Sequence, residues 1–371
     1  MHTTLHPLLA PAPGTRRELV SLHFGQPGGP KAYIQASLHA DELPGMLVAH
    51  HLRQRLSELE AAGRITGEVV LVPMANPIGL AQHLLQMHQG RFDLNSGQNF
   101  NRHYPDQIAA VAAAVEGRLG ADAAANVAML RQALKAAVLA SPAETELQSL
   151  RRTLMSLSCD ADIVLDLHCD AQALMHLYTE TPCWPDCEPL ARFLRSRLTL
   201  LAQGSGDSPF DEACSQVWWR WDRHFGGQFP IPQACLSVTV ELRGAADVTH
   251  DLAAADAAHI IDFLHWRGLI SGTAPPLPDA VGDARPLAGC MPIQSSSSGV
   301  LTFLKEVGAE LKAGEVLAQV IDPLSATVTE LKSPVDGLLF ARDFVRFATA
   351  GMRVAKVAGH EALRTGKLLG A

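Results

Sequence analysis

Three short apolar segments of the sequence each lead to side chains that could take part in chemistry. The set comprises His39 and Glu42 after the segment KAYIQASL, His168 after DIVLDL, and Glu241 within LSVTVEL. Each segment has the length and composition of a buried β-strand. Ligands of open α/β sheets gather at the carboxyl ends of the strands, so these side chains are expected to converge on one crevice.

Two histidines and one carboxylate are the ligand set of the catalytic zinc in carboxypeptidase A, and they leave one coordination position open for water. We therefore predict one Zn²⁺ per chain on His39, Glu42 and His168. Glu241 is not needed as a ligand and could accept a proton from that water. Taken singly, an H-x-x-E pair, a histidine ending a strand and a glutamate at a sheet edge are all ordinary structural features, so the prediction depends on their combination.

The elements around these segments indicate an α/β fold. Pro44 suits the first turn of a helix and Gly63 suits a helix C-terminal cap, which predicts a helix from about 44 to 62. Residues 75–106 predict a long loop, and loops of that length inside a domain are usually functional or disordered. Further helices are predicted within 106–157 and at about 188–200 and 251–267, and further strands at 68–74 and 174–179. This alternation is typical of a mixed sheet flanked by helices.

The chain changes character near its C-terminal quarter. Residues 1–270 are predicted to form the catalytic domain, and the Gly- and Pro-rich residues 271–286 a linker. Residues 287–371 contain short β-type segments separated by Gly, Pro and charged turns, which predicts a small all-β domain.

Composition excludes several classes of protein. The 371 residues carry a formal net charge of −8, which argues against a nucleic-acid partner. No apolar stretch approaches the ~20 residues of a membrane-spanning helix. The N-terminus lacks the basic segment of a signal peptide, and seven cysteines without a tight framework suit a reducing compartment. We therefore expect a cytoplasmic protein without a membrane partner.

The order of the polar motifs resembles that of the succinylglutamate desuccinylase/aspartoacylase family, within the zinc carboxypeptidase-like superfamily. The motifs are His39-Ala-Asp-Glu42, Pro44-Gly45, Asn76-Pro77, Asn101-Arg102-His103-Tyr104-Pro105, Asp166-Leu167-His168 and Val240-Glu241. The similarity spans about 30–270. It implies a carboxypeptidase-like α/β domain with zinc on the predicted ligands and Glu241 as general base and acid.

The resemblance also implies how a substrate would be held. Asn101 and Arg102 would grip a substrate carboxylate, and a guanidinium offers a planar fork that matches such a group. The motif residues Asn76 and Tyr104 are assigned to the same substrate-binding set. Family members stabilise the oxyanion with an arginine between the Asn-Pro and Asn-Arg motifs, where this sequence has Arg91. The alternative donors in that segment and beside it are His83, His88 and His103.

The C-terminal domain resembles the biotinyl/lipoyl-like β-hairpin fold. In carriers of that fold a lysine precedes the S-P-x-x-G turn by seven or eight residues, whereas this sequence has PLSATV at 323–328 and Lys332 beside the turn. We therefore predict no lipoyl or biotin attachment. The domain is expected to cover the active-site cleft or to mediate oligomerisation.

Together these features predict a metal-dependent amidohydrolase, desuccinylase/aspartoacylase-like, that cleaves the linear amide bond of a small N-acylated amino acid or related carboxylate-bearing amide. The alternatives are a carboxypeptidase or an esterase with the same site, or a non-catalytic metal-binding protein. The expected partner is a small N-acyl compound that carries a carboxylate. The sequence leaves open whether the protein forms homo-oligomers.

Overall fold

A computed structural model describes residues 1–369 of the chain. Its α-helices are α1 Pro44–Ala61, α2 Pro77–Leu80, α3 Ile108–Val115, α4 Ala123–Ala140, α5 Glu146–Ser158, α6 Trp184–Phe193, α7 Phe210–His224 and α8 His250–Trp266. The strands before the predicted linker are β1 His2–Pro7, β2 Glu18–Gly25, β3 Lys31–Ala36, β4 Glu68–Val72, β5 His83–Leu84, β6 Met87–His88, β7 Ile163–Asp170, β8 Gln172–Ala173, β9 His176–Glu180, β10 Leu198–Ala202 and β11 Leu236–Gly244. The later strands are β12 Asp283–Pro286, β13 Cys290–Gln294, β14 Gly299–Phe303, β15 Glu310–Leu311, β16 Val316–Ile321, β17 Val328–Lys332, β18 Gly337–Arg342, β19 Phe347–Ala348 and β20 Arg353–Gly359.

A nine-stranded mixed sheet forms the centre of the larger part, in the order β1-β2-β4-β3-β7-β11-β9-β10-β12. Strands β3, β7 and β11 are adjacent and parallel, so their carboxyl ends lie at one edge of the sheet. Strand β9 runs antiparallel to β11, whereas β10 and β12 run parallel to their neighbours. The α/β class and the mixed sheet predicted from the sequence are confirmed.

Helices cover both faces of this sheet, and the apolar side chains between form two cores. One core contains side chains of α1, α6 and α8, such as Leu52, Leu190 and Phe263, packed on one face of the central strands. The other contains α3, α4, α5 and α7, with Trp218 and Trp221 fully buried among them. Burial on both faces explains why the central strands read as continuous apolar segments rather than alternating ones.

Some elements differ from the sequence-based expectation. The helix predicted at 188–200 covers residues 184–193, and its last predicted residues belong to β10. The apolar sequence Leu-Thr-Leu-Leu-Ala suits a strand that pairs with β9 on one side and β12 on the other. Local helical periodicity was therefore overridden by sheet pairing. The predicted loop at 75–106 contains α2 and the hairpin β5–β6, and β12 falls within the predicted linker.

Two small antiparallel sheets follow β12, as the sequence predicted for a β-rich segment. One has the order β13-β20-β18-β15 and the other β17-β16-β14-β19. Leu317, Leu339 and Val357 are among the buried side chains between them. Strand β8 pairs with β18, so this β-rich part is hydrogen-bonded to the loop that follows the carboxyl end of β7.

No helix within residues 1–369 has the length and hydropathy needed to cross a lipid bilayer.

Helix α1 lies very close to the strands that carry the polar side chains. A Cβ atom on Gly45 would lie 3.0 Å from the Cβ of Leu167 and 3.1 Å from the Cβ of Ala36. Both neighbours belong to central strands and cannot easily move away. Glycine is therefore required here for a close helix–sheet contact.

We expect Gly45→Val to destabilise the protein by about 1–3 kcal/mol, because the added methyl groups would overpack the helix–sheet contact. Gly120→Val is the matched control, since a Cβ at Gly120 has no neighbour within 4 Å. Thermal unfolding of both variants would test this. Equal midpoints for the two variants would contradict the close contact.

Candidate active site

The central strands bring the predicted metal ligands and the predicted base to one edge of the sheet. His168 lies near the end of β7 and pairs in register with Glu241 on β11. His39 and Glu42 lie in the turn that joins β3 to α1, where the backbone N–H of Glu42 donates to the carbonyl of His39 (3.1 Å). Ser37 leaves the strand with φ of 58° and its hydroxyl donates to the carbonyl of Glu42 (2.9 Å). This strained backbone turns both side chains back toward β7.

The three predicted ligands form a compact buried cluster. Nδ1 of His39 lies 2.9 Å from Oε1 of Glu42, and Nδ1 of His168 lies 2.7 Å from Oε2. One ligand atom from each residue lies within 4.8 Å of the others. Both histidines are only 3% exposed. The arrangement offers two imidazole nitrogens and a carboxylate at a single point, as the sequence predicted.

The opposite ring nitrogens are fixed by neighbouring acceptors. Nε2 of His39 lies 2.9 Å from Oδ1 of Asn99, and Nε2 of His168 lies 2.9 Å from Oδ2 of Asp166. The Asn99 oxygen favours a proton on Nε2 of His39 and therefore a free lone pair on its Nδ1. The Asp166 carboxylate forms an ion pair with the His168 ring. Metal-binding histidines are typically oriented in this way. The side chains thus fit a divalent cation bound by both Nδ1 atoms and Glu42.

The electrostatics of the cluster favour an ionised Glu42. Burial alone would raise the pKa of Glu42, but the neighbouring His39 and His168 outweigh it and hold that pKa well below its usual range. Burial would lower the pKa of His168, yet the Asp166 and Glu42 carboxylates raise it well above normal. Burial, together with the charge of Arg91, lowers the pKa of His39. A neutral His39 and an ionised Glu42 are the forms that bind metal, whereas His168 must release a proton when a metal binds.

Arg91 reaches this cluster from the long loop. Its Nη1 donates to Oε1 of Glu42 (2.9 Å) and lies 3.2 Å from Nδ1 of His39. The loop is held against the metal-ligand turn because Ala40 donates its N–H to the carbonyl of Gly90 (2.9 Å). A Cβ on Gly90 would lie 2.1 Å from the backbone N of Asp41, so only glycine allows this approach.

Glu241 faces the cluster without being part of it. Its Oε2 is buried and has no hydrogen-bond partner among the described residues. Burial and the nearby Glu42 carboxylate raise the pKa of Glu241 to about 8. The register of β11 shifts directly after it, and Arg243 adopts φ of 65°. A carboxyl group with a pKa near neutrality can both take up and release a proton.

Asn101 and Arg102 also line the pocket beside the cluster. The side-chain oxygen of Asn101 accepts from the backbone N–H of Phe210 (2.8 Å), which ties the loop to the start of α7. Nη1 of Arg102 donates to the carbonyl of Asn101 (2.6 Å). Burial, and then the charge of Arg91, lowers the pKa of Arg102. Arg91 and Arg102 therefore face the same pocket.

Asn76 and Tyr104, the other residues assigned to substrate binding, do not line this pocket. Asn76 is fully buried, donates to the carbonyl of Leu38 (2.9 Å) and caps α2 by accepting from the N–H of Gly79 (2.8 Å). Tyr104 packs edge-on against Phe210 in the core. In the structure both side chains support the loops that carry the site.

The three histidines considered as alternatives to Arg91 lie elsewhere. His83 and His88 stack on one another across the hairpin β5–β6, with ring centroids 4.8 Å apart. His103 is exposed and adopts φ of 61°. Of the candidate oxyanion donors, Arg91 alone contacts the predicted ligands among the described residues.

Cys169 follows a predicted ligand, but its thiol is unsuited to nucleophilic attack. Burial and the Glu42 carboxylate raise the pKa of this thiol far above its usual value. Its backbone N–H instead donates to Oε2 of Glu42 (3.1 Å). Cys169 therefore helps to orient a ligand through its main chain.

The structure adds pocket residues that sequence reasoning missed. They are Asp211 and Glu212 at the start of α7, Arg353 and Lys356 on β20, and Leu369 after the last strand. Lys356 forms an ion pair with Asp170 at the end of β7. The side chains on β20 belong to the C-terminal β-rich part, and no local pattern links them to site residues more than 100 positions away in the sequence.

The mixed sheet and its site are similar to those of a known family of enzyme domains. Residues 28–200 match the family model described as the succinylglutamate desuccinylase/aspartoacylase catalytic domain. The resemblance seen in the motifs is thereby confirmed.

Solved structures are similar to this protein over nearly the whole chain. A succinylglutamate desuccinylase/aspartoacylase family protein from Shewanella amazonensis is 27% identical, with a TM-score of 0.85 over 96% of this chain and 98% of that one. A second, from Shewanella frigidimarina, is 25% identical, with a TM-score of 0.82 over 96% of each chain. The ectoine utilization protein EutE (DoeB) from Ruegeria pomeroyi shares the fold at 17% identity, with a TM-score of 0.68 over 96% of this chain and 94% of that one. No curated protein matches the sequence.

The buried carboxyl group of Asp211, on the acidic side of the pocket, is expected to lower the free energy of unfolding in a pH-dependent way. Burial, and then the charges of Glu212 and Asp166, raise the pKa of Asp211 from 3.8 to about 7. Below pH 4 the carboxyl group is protonated in the folded and unfolded chain alike. Between pH 4 and 7 the unfolded chain releases this proton before the folded chain does, so folding becomes less favourable as pH rises.

We expect Asp211→Asn to remove this cost. The thermal midpoint of the variant, relative to the parent, should rise as the pH increases from 4 to 7 and change little above that. Asp222→Asn, at an exposed position of the same helix, should show no such trend. A constant difference between Asp211→Asn and the parent across this range would contradict the assignment.

Proposed function

We propose that the protein is a zinc-dependent amidohydrolase that removes the acyl group from a small N-acylated amino acid or a related amide bearing a carboxylate. The observation that carries this proposal is Glu241. Its side chain is partly buried, its Oε2 atom is buried and has no hydrogen-bond partner within residues 1–369, and its pKa is raised to about 8. It faces a complete His-Glu-His ligand set without belonging to it. A metal-binding protein without catalytic activity would need no such proton acceptor.

The ligand set suits zinc, and one ion per chain would be held by His39, Glu42 and His168. When bound, zinc would lower the pKa of a water at its open position and polarise the scissile carbonyl. Asp166 and Asn99 would keep both imidazoles in the orientation that presents Nδ1 to the ion.

Glu241 would move the proton in both steps of the reaction. It would take a proton from the attacking water as the water oxygen adds to the acyl carbon. It would then give that proton to the amine nitrogen as the C–N bond breaks. The raised pKa of Glu241 suits a group that acts first as base and then as acid. General acid–base catalysis is most effective when the pKa of the catalytic group lies near the working pH.

The arginines would divide two tasks. Arg91, beside the ligands, would stabilise the negative charge that develops on the carbonyl oxygen, an effect of roughly 3–4 kcal/mol for a well-placed donor. Arg102, together with Asn101, would hold a carboxylate of the substrate and so position the amide over the ligand set. The same site could act on a peptide or an ester, and a panel of N-acyl amino acids, dipeptides and simple esters would rank these substrates.

The seven cysteines are all free and buried, which supports the cytoplasmic location expected from the sequence.

We expect Glu241→Gln to keep about one zinc per chain but to lower kcat for N-acyl amino acids by about 10²–10⁴-fold, because the proton acceptor is gone. His39→Ala should lose the metal itself. His83→Ala, in the hairpin away from the ligands, is the control for both measurements. Metal analysis and steady-state kinetics would decide, and undiminished kcat in Glu241→Gln would rule out its role as the base.

We expect Arg102→Ala to raise KM at least 10-fold for a substrate with a carboxylate, because a charged hydrogen bond of about 1.5–3 kcal/mol is lost. Hydrolysis of the matched amide without a carboxylate should hardly change. An equal rise in KM for both substrates would show that Arg102 has a general structural role rather than a role in carboxylate binding.

A further inference from the structure

The segment after the last strand returns to the catalytic pocket. We call residues 363–369 the C-terminal strap. The backbone N–H groups of Leu363 and Arg364 both donate to the carbonyl of Ala288 (3.0 and 2.9 Å), and the N–H of Leu368 donates to the carbonyl of Ser205 (2.9 Å). The strap thus runs from the β-rich part to the loop before α7, and Leu369 lines the catalytic pocket.

Side chains hold the strap at two further points. Arg364 donates to the carbonyl of Cys290 (2.8 Å) and to that of Leu368 (2.7 Å), which fixes the bend of the strap. Lys367 forms an ion pair with Asp207. Gly206, beside this ion pair, has φ of +97°, and a Cβ there would lie 3.1 Å from Cγ of Lys367. The loop is therefore shaped to let the strap approach.

The pocket has an apolar side that the strap completes. Leu200, Ala202 and Leu287 line it on the side of β10, and Leu369 packs against the same cluster. Arg102 and the acidic residues at the start of α7 line other parts of the pocket. A substrate group that enters the apolar side must therefore fit beside the Leu369 side chain.

The contacts of the strap are few and mostly at the surface. It has no regular secondary structure, and four of its seven residues are exposed. The Lys367–Asp207 ion pair is itself largely solvent-exposed on the lysine side, and such pairs contribute little, about 0–1 kcal/mol. Replacing one side chain of the strap is therefore expected to change the pocket without affecting the folding of the domains.

We propose that the C-terminal strap closes the apolar side of the catalytic pocket and that Leu369 is a specificity-determining residue, which limits the substrate group on that side to a short aliphatic chain. This inference rests on the proposed amide hydrolysis, and it assigns to Leu369 the selection of substrates by the size of one group. A pocket that gains or loses the space of a methylene group changes selectivity by about 10–200-fold.

The test compares the parent with Leu369→Ala on two substrate series. In the first, the acyl chain on one amino acid is lengthened from acetyl to hexanoyl; in the second, the acetyl group is kept and the aliphatic side chain of the amino acid is lengthened. We expect the ratio of kcat/KM for long over short substrates to rise at least 10-fold in one series, which also identifies the group that faces Leu369. Leu363→Ala removes the same side chain from an exposed position of the strap and should leave both ratios unchanged.

The outcomes separate this inference from the proposed function. If the parent and Leu369→Ala hydrolyse the substrates with the same chain-length profile in both series, the strap does not select by size and this inference is overturned. If Leu363→Ala shifts the ratios as much as Leu369→Ala, the effect belongs to the strap as a whole and the assignment to Leu369 is overturned. A zinc-loaded parent that hydrolyses no member of either series contradicts the proposed function and the inference together.

Discussion

The site depends on how two imidazole rings are held around one buried carboxylate. Glu42 sits between the Nδ1 atoms of His39 and His168, and Asn99 and Asp166 hold the far side of each ring. A buried carboxylate is costly unless it is paired, and here the surrounding groups keep it ionised. Much of the nearby fold serves this arrangement: three parallel strands end at one edge, and the turn after β3 bends the first two ligands toward the third.

The sequence was sufficient for the parts of the site that follow strands directly. His168 and Glu241 could be predicted because they end apolar segments, and parallel strands bring their ends together. His39 and Glu42 share a short turn, so their spacing was also informative. Arg91 could be named only through the family resemblance, because its position depends on the close approach of Gly90 to the turn at Asp41.

Other features of the fold and of the pocket could not be predicted from the sequence. The approach of Lys356, Arg353 and Leu369 depends on how the β-rich part docks, and that docking involves residues far apart in the chain. The strands β1, β2 and β12 were not predicted, and the helix prediction at 188–200 was wrong at its end because β10 is stabilised by pairing on both sides. The motifs also did not distinguish pocket residues from supporting residues. Asn76 and Tyr104 belong to the motifs, yet their side chains are buried beneath the loops that carry the site.

The position of β12 has a consequence for the architecture of the whole chain. This strand forms the outer edge of the large sheet, parallel to β10, and the chain passes from it directly into the small antiparallel sheets. The two parts are thus joined by shared hydrogen bonding as well as by a covalent connection, so the β-rich part cannot swing on a loose hinge. Removing residues from 271 onward would also leave β10 as an uncovered edge, open to pairing with other chains. The two parts are therefore expected to fold as one unit.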